Sequence, residues 1–336
     1  MAGGNFFSRN PTNTTTKRTD NKRRLKLLKS YAPDWVLTIT LAGIFYALNN
    51  VHGFRREFSV NDESIRFPYA VHERVPDWAL YLIALVSPIV IQLCTNIITI
   101  RSFWDFHNSL LGLILSLSMA GVITQFSKIT TGRPRPDLLS RCIPISGSQD
   151  PTYGLLTDAI CTQTDQSIMI DGWRSFPSGH SSLSFAGLGF LSFYLAGKMH
   201  LFDKRGHTHK AWISVTPLAG ATLVAISRTM DYRHHFQDVV AGSLLGIFIA
   251  YFAYRQYYPS LASPTSHLPY SPRVPRDEPE VLPTVASHGG SRYPRESEED
   301  ENVELINSAV HKSDPEPLKE IWQQGDSPTG SPVGHA

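Results

Sequence analysis

The sequence predicts an all-α protein, a bundle of six membrane-spanning helices with disordered termini. The first observation behind this prediction is a succession of six apolar runs between Trp35 and Tyr257, several flanked by Trp or Tyr. A bilayer span needs about 20 mostly apolar residues. The second observation is that both ends of the chain are polar. The net charge of +2 and the mean hydropathy near zero resemble those of a soluble protein, because averaging over the whole chain hides this segregation.

The six apolar runs give the predicted spans in chain order. Any one run alone is also compatible with a buried helix of a soluble protein, but six in succession favour a membrane bundle. Asn49 and Asn50 interrupt the first run and Pro217 lies in the fifth, so these two spans are the ones that can tilt or kink. The predicted spans are residues 35–54, 78–100, 108–127, 181–197, 212–227 and 239–257.

The chain divides into three predicted parts. Residues 1–30 are a basic, disordered arm without a cleavable signal peptide, 31–258 the six-span domain and 259–336 a disordered tail. The tail contains too little apolar surface to offset its conformational entropy. The Lys and Arg residues of the arm predict a cytosolic N-terminus. The tail is then also cytosolic, and the loops after the first, third and fifth spans face the lumen or the cell exterior.

Three polar clusters lie on that predicted lumenal side, at residues 128–136, 175–180 and 227–238. Ionisable groups at a membrane boundary are costly, so a functional use is the first hypothesis. Lys128, Arg135 and Arg228 would place three cations near one rim. That arrangement suits a dianionic phosphate, because the guanidinium fork matches phosphate oxygens.

The second and third clusters add an anion-binding helix start and two histidines. Ser178 and Gly179 open the fourth span, where free N–H groups favour an anion. Asp238 follows His234 by four residues, so both would share one face of the sixth span. The carboxylate would then accept from one imidazole nitrogen and leave the other as a nucleophile. His180 supplies a second imidazole.

The three clusters together resemble the motifs of the type-2 phosphatidic acid phosphatase superfamily. The matching patterns are Lys-x6-Arg-Pro, Pro-Ser-Gly-His and Ser-Arg-x5-His-x3-Asp. That family includes lipid phosphate phosphatases, diacylglycerol pyrophosphate phosphatase, glucose-6-phosphatase and the vanadium haloperoxidases. The resemblance covers about residues 30–258 and looks closest to the fungal lipid phosphate and diacylglycerol pyrophosphate phosphatase branch.

The resemblance implies a mechanism and a substrate class. His234 would form a phosphohistidine, Asp238 would hold its tautomer, and His180 would act as general acid and then as base. The implied phosphate-binding residues are Lys128, Arg135, Ser178, Gly179 and Arg228. The implied substrates are lipid phosphomonoesters or pyrophosphates, namely phosphatidic acid, lysophosphatidic acid or diacylglycerol pyrophosphate. The expected location is an endomembrane (vacuole, Golgi or ER) or the plasma membrane, with the active site on the lumenal or extracellular face.

No metal or cofactor is expected, because no carboxylate cluster is available for Mg²⁺ and fixed cations can stabilise the phosphoryl charge. The membrane lipids are the other expected partners. The near-neutral charge and the absence of a basic stripe argue against nucleic acid, and the sequence indicates no oligomeric state. The alternatives are a catalytically inactive membrane scaffold and a lipid phosphotransferase. The spans disfavour a peroxidase, and charges at one face rather than mid-membrane disfavour a transporter.

Several neighbouring residues carry separate expectations. Cys142 and Cys161 share one predicted lumenal loop, so we hypothesise that they form a disulfide. Cys94 lies within an apolar run and is expected to be buried. His235 is assigned to packing, because only His234 has the motif spacing. Arg133 is open to a substrate contact, a structural role or a lipid-headgroup contact.

Overall fold

The computed structural model describes residues 12–203 and 205–274, and this part is helical, with isolated bridges but no extended strand. The first two long helices are α1 (Thr12–Leu48) and a continuous helix made of α2 (Asp77–Tyr81), a π-helical turn (Leu82–Val86) and α3 (Ser87–Ile98). The others are α4 (Phe103–Thr131), α7 (Gly179–Lys198), α8 (Thr208–Met230) and α9 (Phe236–Tyr257). The short helices α5 (Leu138–Cys142) and α6 (Gln166–Gly172) and the 3-10 turns Glu63–Ile65 and Asp158–Ile160 lie in the loops. The predicted all-α class is confirmed.

Five helices are long and apolar enough to cross a membrane: Leu25–Leu48, Asp77–Ile98, Phe103–Thr131, Thr208–Met230 and Phe236–Tyr257. The remaining predicted span, residues 181–197, falls in α7, which has 20 residues and is rich in Ser and Gly. Helix α7 packs against α4, α8 and α9, and most of its side chains are buried. Because other helices surround α7, its surface does not need the apolar character of a lipid-facing helix.

Two glycines in α9 let it approach α7 closely. A Cβ atom at Gly242 would lie 2.6 Å from the carbonyl oxygen of Ser178, and one at Gly246 would collide with that of Ser182. Small residues one helical turn apart allow two membrane helices to bring their backbones together. The beginnings of α7 and α9, which carry two of the predicted motifs, are therefore held side by side.

The loop before α2 and the loop between α4 and α7 pack on each other at one end of the helices, and we call them the cap (residues 51–76 and 133–178). The cap has its own hydrophobic cluster of Phe58, Ile65, Leu138, Cys142, Met169 and Trp173. Cys142 and Cys161 form a disulfide with a Cα–Cα distance of 4.6 Å, which confirms the hypothesised pair. Cys94 is exposed rather than buried, because an apolar run indicates a membrane helix without indicating which face packs inward.

Both ends of the described chain depart from the expected disorder. Residues 12–30 of the predicted arm belong to α1, since their Lys, Arg and Leu residues are good helix formers that continue the first span. Residues 259–274 fold back on the bundle: the Tyr270 amide donates to the Tyr257 carbonyl at 2.9 Å, and Arg273 Nη2 lies 2.6 Å from Asp34 Oδ2. Residues 275–336 of the predicted tail lie outside the described residues.

Candidate active site

Four helix ends meet beneath the cap. Lys128 lies in the last turn of α4 and Arg228 in the last turn of α8, while α7 begins at Gly179 and α9 at Phe236. Helix α4 ends at Gly132, whose φ of +53° is left-handed, and a Cβ atom there would collide with the carbonyl of Phe54. The glycine therefore permits the turn that leads the chain into the arginines of the first motif.

These ends enclose a cavity of about 320 Å³. The predicted site residues Lys128, Arg135, Gly179, His180, Arg228 and His234 all line it. The predicted residues Ser178 and Asp238 are fully buried behind it. A larger groove of about 740 Å³ lies along residues 27–39 of α1, near Trp104 and His107. That groove is at the opposite end of α4 and contains none of the predicted residues.

Two of the three cations present donors without an acceptor among the described residues. No described oxygen accepts a hydrogen bond from Lys128 Nζ, which lies 3.2 Å from where a Cβ atom of Gly179 would stand. Arg135 is 6% exposed, and its Nε is buried without a partner. A buried donor without an acceptor is costly. Arg135 Nε is enclosed by the protein and does not open into the cavity, whereas the positive charges of Lys128, Arg135 and Arg228 at the cavity wall suit a ligand with several acceptor oxygens.

Three carboxylates without a predicted role in the site, Glu73, Asp77 and Asp171, also line the cavity, and two of them pair with its arginines. Glu73 Oε2 accepts from Arg228 Nη1 at 2.6 Å, and Asp171 Oδ1 accepts from Arg135 Nη2 at 2.6 Å. Burial raises the pKa of Asp171, but Arg135 and the neighbouring cations outweigh it and hold that pKa well below its usual range. Asp171 is therefore ionised and partly neutralises the cations.

His180 sits in the first turn of α7 against the end of the first cap loop. Its Nε2 lies 3.0 Å from the carbonyl oxygen of Val75 and 3.7 Å from Asp77 Oδ1. A carbonyl accepts only from a protonated ring nitrogen, and a nearby carboxylate favours the imidazolium form. The Val75 carbonyl therefore fixes a proton on Nε2 but does not require the imidazolium form. Burial, followed by the charges of Arg228 and Lys128, lowers the pKa of His180 well below its usual range. A bound dianionic phosphate has to offset these cations before the ring can act as a general acid.

His234 is 4% exposed and lies in the loop between α8 and α9. Its Nδ1 is 2.6 Å from the carbonyl oxygen of Ser175. Since a carbonyl oxygen can only accept, Nδ1 carries the proton, and Nε2 keeps its lone pair. Burial, followed by the charges of Arg135 and Lys128, lowers the pKa of His234 well below its usual range. The imidazole is therefore neutral and nucleophilic at neutral pH.

The predicted contact between Asp238 and His234 is wrong in the described structure. Helix α9 begins at Phe236 with His235 as its N-cap, so His234 stands outside the helix. The four-residue spacing places two side chains on one face only if both are helical. Asp238 instead accepts from Arg133 Nη1 at 2.6 Å and from the Ser175 hydroxyl, and it contacts the Nδ1 and backbone N–H of His235.

Ser178 serves as the N-cap of α7 and not as a cavity wall. Its Oγ accepts from the backbone N–H of Ser181 at 3.4 Å and from the Ser181 hydroxyl at 3.0 Å. This cap fixes the first turn of α7. Gly179, the next residue, is the part of the motif that borders the cavity, so the contribution of Ser178 to anion binding is indirect in this geometry.

Fold and site together define a helical membrane protein with a cation-lined cavity that holds a neutral histidine. Comparison with known proteins then identifies the family. Residues 109–261 match the model of the PAP2 superfamily. The chain is 39% identical to lipid phosphate phosphatase 2 of Arabidopsis thaliana over 239 residues, which is 71% of this chain and 81% of that protein.

Two fungal proteins show similar agreement. The chain is 39% identical to diacylglycerol pyrophosphate phosphatase 1 of Saccharomyces cerevisiae over 242 residues (71% of this chain, 82% of that protein). It is 36% identical to the probable diacylglycerol pyrophosphate phosphatase 1 of Schizosaccharomyces pombe over 241 residues (71% and 85%). The chain therefore belongs to the PAP2 superfamily. No solved structure matches it significantly.

Proposed function

We propose that this chain is an integral membrane phosphatase that hydrolyses lipid phosphomonoesters or pyrophosphates through a phosphohistidine on His234. The observation that carries the proposal is the shared cavity of Lys128, Arg135 and His234. Lys128 and Arg135 place positive charge at the wall of this cavity beside His234, and a phosphate group is the anion that such a set of cations suits. The names of the similar proteins support the same reaction.

A lipid substrate is supported by the apolar side of the cavity. Phe45, Leu80, Tyr81 and Leu183 line the cavity and also line an adjoining apolar pocket of about 180 Å³. These residues belong to α1, α2 and α7, which are part of the helical bundle. A phosphate bound to the cations can therefore remain attached to a hydrocarbon tail in an apolar environment. Phosphatidic acid, lysophosphatidic acid and diacylglycerol pyrophosphate all combine these two features.

The proposed reaction has two displacements at phosphorus. The Nε2 lone pair of His234 attacks phosphorus, the bond between phosphorus and the leaving oxygen breaks, and His180 protonates that oxygen. Water then attacks phosphorus, the phosphorus–nitrogen bond breaks, and the proton of the water passes to His180. Lys128, Arg135 and Arg228 stabilise the charge on the phosphoryl oxygens throughout.

We further propose that the reaction needs no metal ion and takes place on the lumenal or extracellular face. Within the described residues, no group of three or more His, Cys, Asp or Glu side chains is arranged to hold a metal ion, and fixed cations supply the charge that Mg²⁺ supplies elsewhere. The disulfide between Cys142 and Cys161 lies in the cap beside the cavity. Disulfides persist in oxidising compartments, which supports the proposed orientation.

The test is phosphate release by the purified full-length protein in detergent with excess chelator. The substrates are phosphatidic acid, lysophosphatidic acid and diacylglycerol pyrophosphate. We expect wild type to be active and His234→Ala to lose at least about 1,000-fold in kcat, because the nucleophile is absent. His209→Ala is the matched control, since His209 is exposed in the first turn of α8. It should retain wild-type activity.

Three results would contradict the proposal. Substantial activity in His234→Ala would remove the nucleophile assignment. Inactive wild type would favour a scaffold, and transfer of the phosphoryl group to an added lipid alcohol in place of water would favour a phosphotransferase. Complete loss of wild-type activity with chelator, restored by Mg²⁺, would overturn the metal-free mechanism.

A further inference from the structure

We infer that Ser175 and Arg133 are positioning residues for the nucleophile, and that Asp238 acts on His234 through them and not directly. This inference rests on the proposed function, because it assigns how the histidine of that reaction is oriented. Neither residue lines the cavity. Their role follows from a closed set of hydrogen bonds that joins the three motif segments, and we call this set the Ser175 network.

Ser175 uses each of its polar groups in the network. Its carbonyl oxygen accepts from Nδ1 of His234 at 2.6 Å, its hydroxyl donates to Oδ2 of Asp238, and its N–H donates to the carbonyl oxygen of Arg133 at 3.1 Å. Ser175 is fully buried, so water does not compete for these bonds. Ser175 therefore connects His234, the proposed nucleophile, to Asp238. The sequence had predicted that Asp238 contacts His234 directly.

Arg133 closes the network from the other side. Its Nη1 donates to Oδ1 of Asp238 at 2.6 Å, while its carbonyl oxygen holds the Ser175 N–H. Asp238 has no exposed surface, and a buried carboxylate needs a countercharge and donors to stay ionised. Arg133 and the Ser175 hydroxyl supply both. This gives Arg133, which the sequence left open, a role that involves no contact with substrate.

The consequence is control over the tautomer and the charge of the nucleophile. The Ser175 carbonyl holds the proton on Nδ1 of His234, so that Nε2 is the attacking atom. The ring acquires positive charge as Nε2 bonds to phosphorus. The ionised Asp238 polarises Ser175 through its hydroxyl, and the negative charge nearby stabilises that developing cation. The network should therefore affect the chemical step and not substrate binding.

The experiment measures phosphohistidine formation in a single turnover with lysophosphatidic acid carrying ³²P in its phosphate. We expect Ser175→Ala and Arg133→Gln to slow this step roughly 10- to 100-fold, the range that a hydrogen bond to a charged group corresponds to. The KM should stay within about twofold, since neither residue touches the cavity. Ser175→Thr and Arg133→Lys keep the hydroxyl and the charge and should recover most of the rate. Ser127→Ala is the control, because the Ser127 hydroxyl donates only to the Ile123 carbonyl of α4.

The outcomes separate this inference from the proposed function. If Ser175→Ala reacts at the wild-type rate while Asp238→Asn does not react, Asp238 acts on His234 directly and the inference is overturned. A raised KM with unchanged kcat would also overturn it. If wild type itself forms no phosphohistidine, the proposed function fails. If phosphohistidine forms slowly in Ser175→Ala and Arg133→Gln, and the rate recovers in Ser175→Thr and Arg133→Lys, the Ser175 network is supported. Recovery in one of the two pairs is sufficient if a variant of the other pair is unstable.

Discussion

Individual side chains of the site were easier to predict than the contacts between them. Lys128, Arg135 and Arg228 were expected at one rim, and all three line the cavity. Their placement follows from motif spacing combined with the alternation of spans across a membrane. The contact between His234 and Asp238 was predicted wrongly because it depends on the residue at which α9 begins. Helix boundaries are the least determined feature of a sequence pattern.

The acidic residues of the cavity could not be predicted for a different reason. Glu73 comes from the loop before α2 and Asp171 from α6, and each meets an arginine far away in the chain. A loop sequence has no periodicity that would indicate which distant side chain a charged residue will form an ion pair with. Only the folding of the cap decides these pairs.

The pKa of His234 leads to a prediction for the pH dependence of activity. Burial, Arg135 and Lys128 lower this pKa, so the imidazole stays neutral as the pH falls and is protonated only well below pH 6.5. The acid limb of kcat/KM that reports His234 should therefore lie below that value. Arg135→Gln removes one cation and should move the limb towards neutral pH, while lowering the rate. The measurement is kcat/KM for lysophosphatidic acid between pH 4 and 8.

Wild type and Arg135→Gln share the same substrate, so ionisation of the substrate phosphate affects both profiles equally. The shift between them reports the enzyme alone. If kcat/KM falls at the same acid pH in Arg135→Gln as in wild type, protonation of His234 is not the cause of that fall.

At the scale of helices, hydropathy predicted six spans, and five helices of the described residues are long and apolar enough to cross a membrane. Hydropathy did not distinguish the environments of these helices. The lipid-facing helices are recognisable because they must be apolar along most of their surface. Helix α7 is packed among α4, α8 and α9, so its serines and glycines serve helix contacts and give a weaker hydropathy signal. The short helices α5 and α6 were not predicted, because each is stabilised by packing within the cap and not by its own sequence pattern.

The close packing of α9 on α7 predicts an effect of Gly242→Ala. The added Cβ atom would stand 2.6 Å from the Ser178 carbonyl and 3.2 Å from the Ser181 Cβ. The helices must separate at the point where both open into the site. We expect a loss of about 1–3 kcal/mol in the free energy of unfolding, read as a lower melting temperature in detergent, and a lower kcat.

Gly43→Ala in α1 is the matched control, because nothing lies within 4 Å of a Cβ atom at Gly43. It should be neutral or slightly stabilising, since alanine has the higher helix propensity. Equal melting temperatures for the two variants would show that the α7–α9 contact tolerates a methyl group.

For the molecule as a whole, the sequence predicted where the apolar segments end and the polar segments begin, but it did not predict that residues 259–274 pack on the bundle. Residues 259–274 were placed in the tail, yet Lys198 Nζ donates to the His267 carbonyl at 2.6 Å, and Arg273 lies over the Tyr31 ring at 4.2 Å. Composition indicates low apolar content in such a segment. It does not reveal that a few polar groups will find buried partners on the bundle.

The packing of residues 259–274 on the bundle predicts different effects for two truncations. Deleting residues 275–336 should leave the melting temperature and activity unchanged, because the contacts of Arg273 and His267 are kept. Deleting 259–336 removes the pairing of Arg273 with Asp34 and leaves Lys198 without its carbonyl acceptor. We expect the melting temperature of that protein to fall by roughly 4 °C or more. Equal melting of the two proteins would show that the returning segment contributes nothing.

Glu73 and Asp171 have a consequence for the end of the catalytic cycle. In the proposed reaction, orthophosphate would present oxygens similar to those of the group from which it forms, so the arginines proposed to bind the substrate would also bind the product. Each carboxylate pairs with one arginine and would therefore compete with phosphate for it. When phosphate leaves, Glu73 and Asp171 would remain as partners of Arg228 and Arg135. This competition would keep the affinity for phosphate moderate, where tight retention would slow product release.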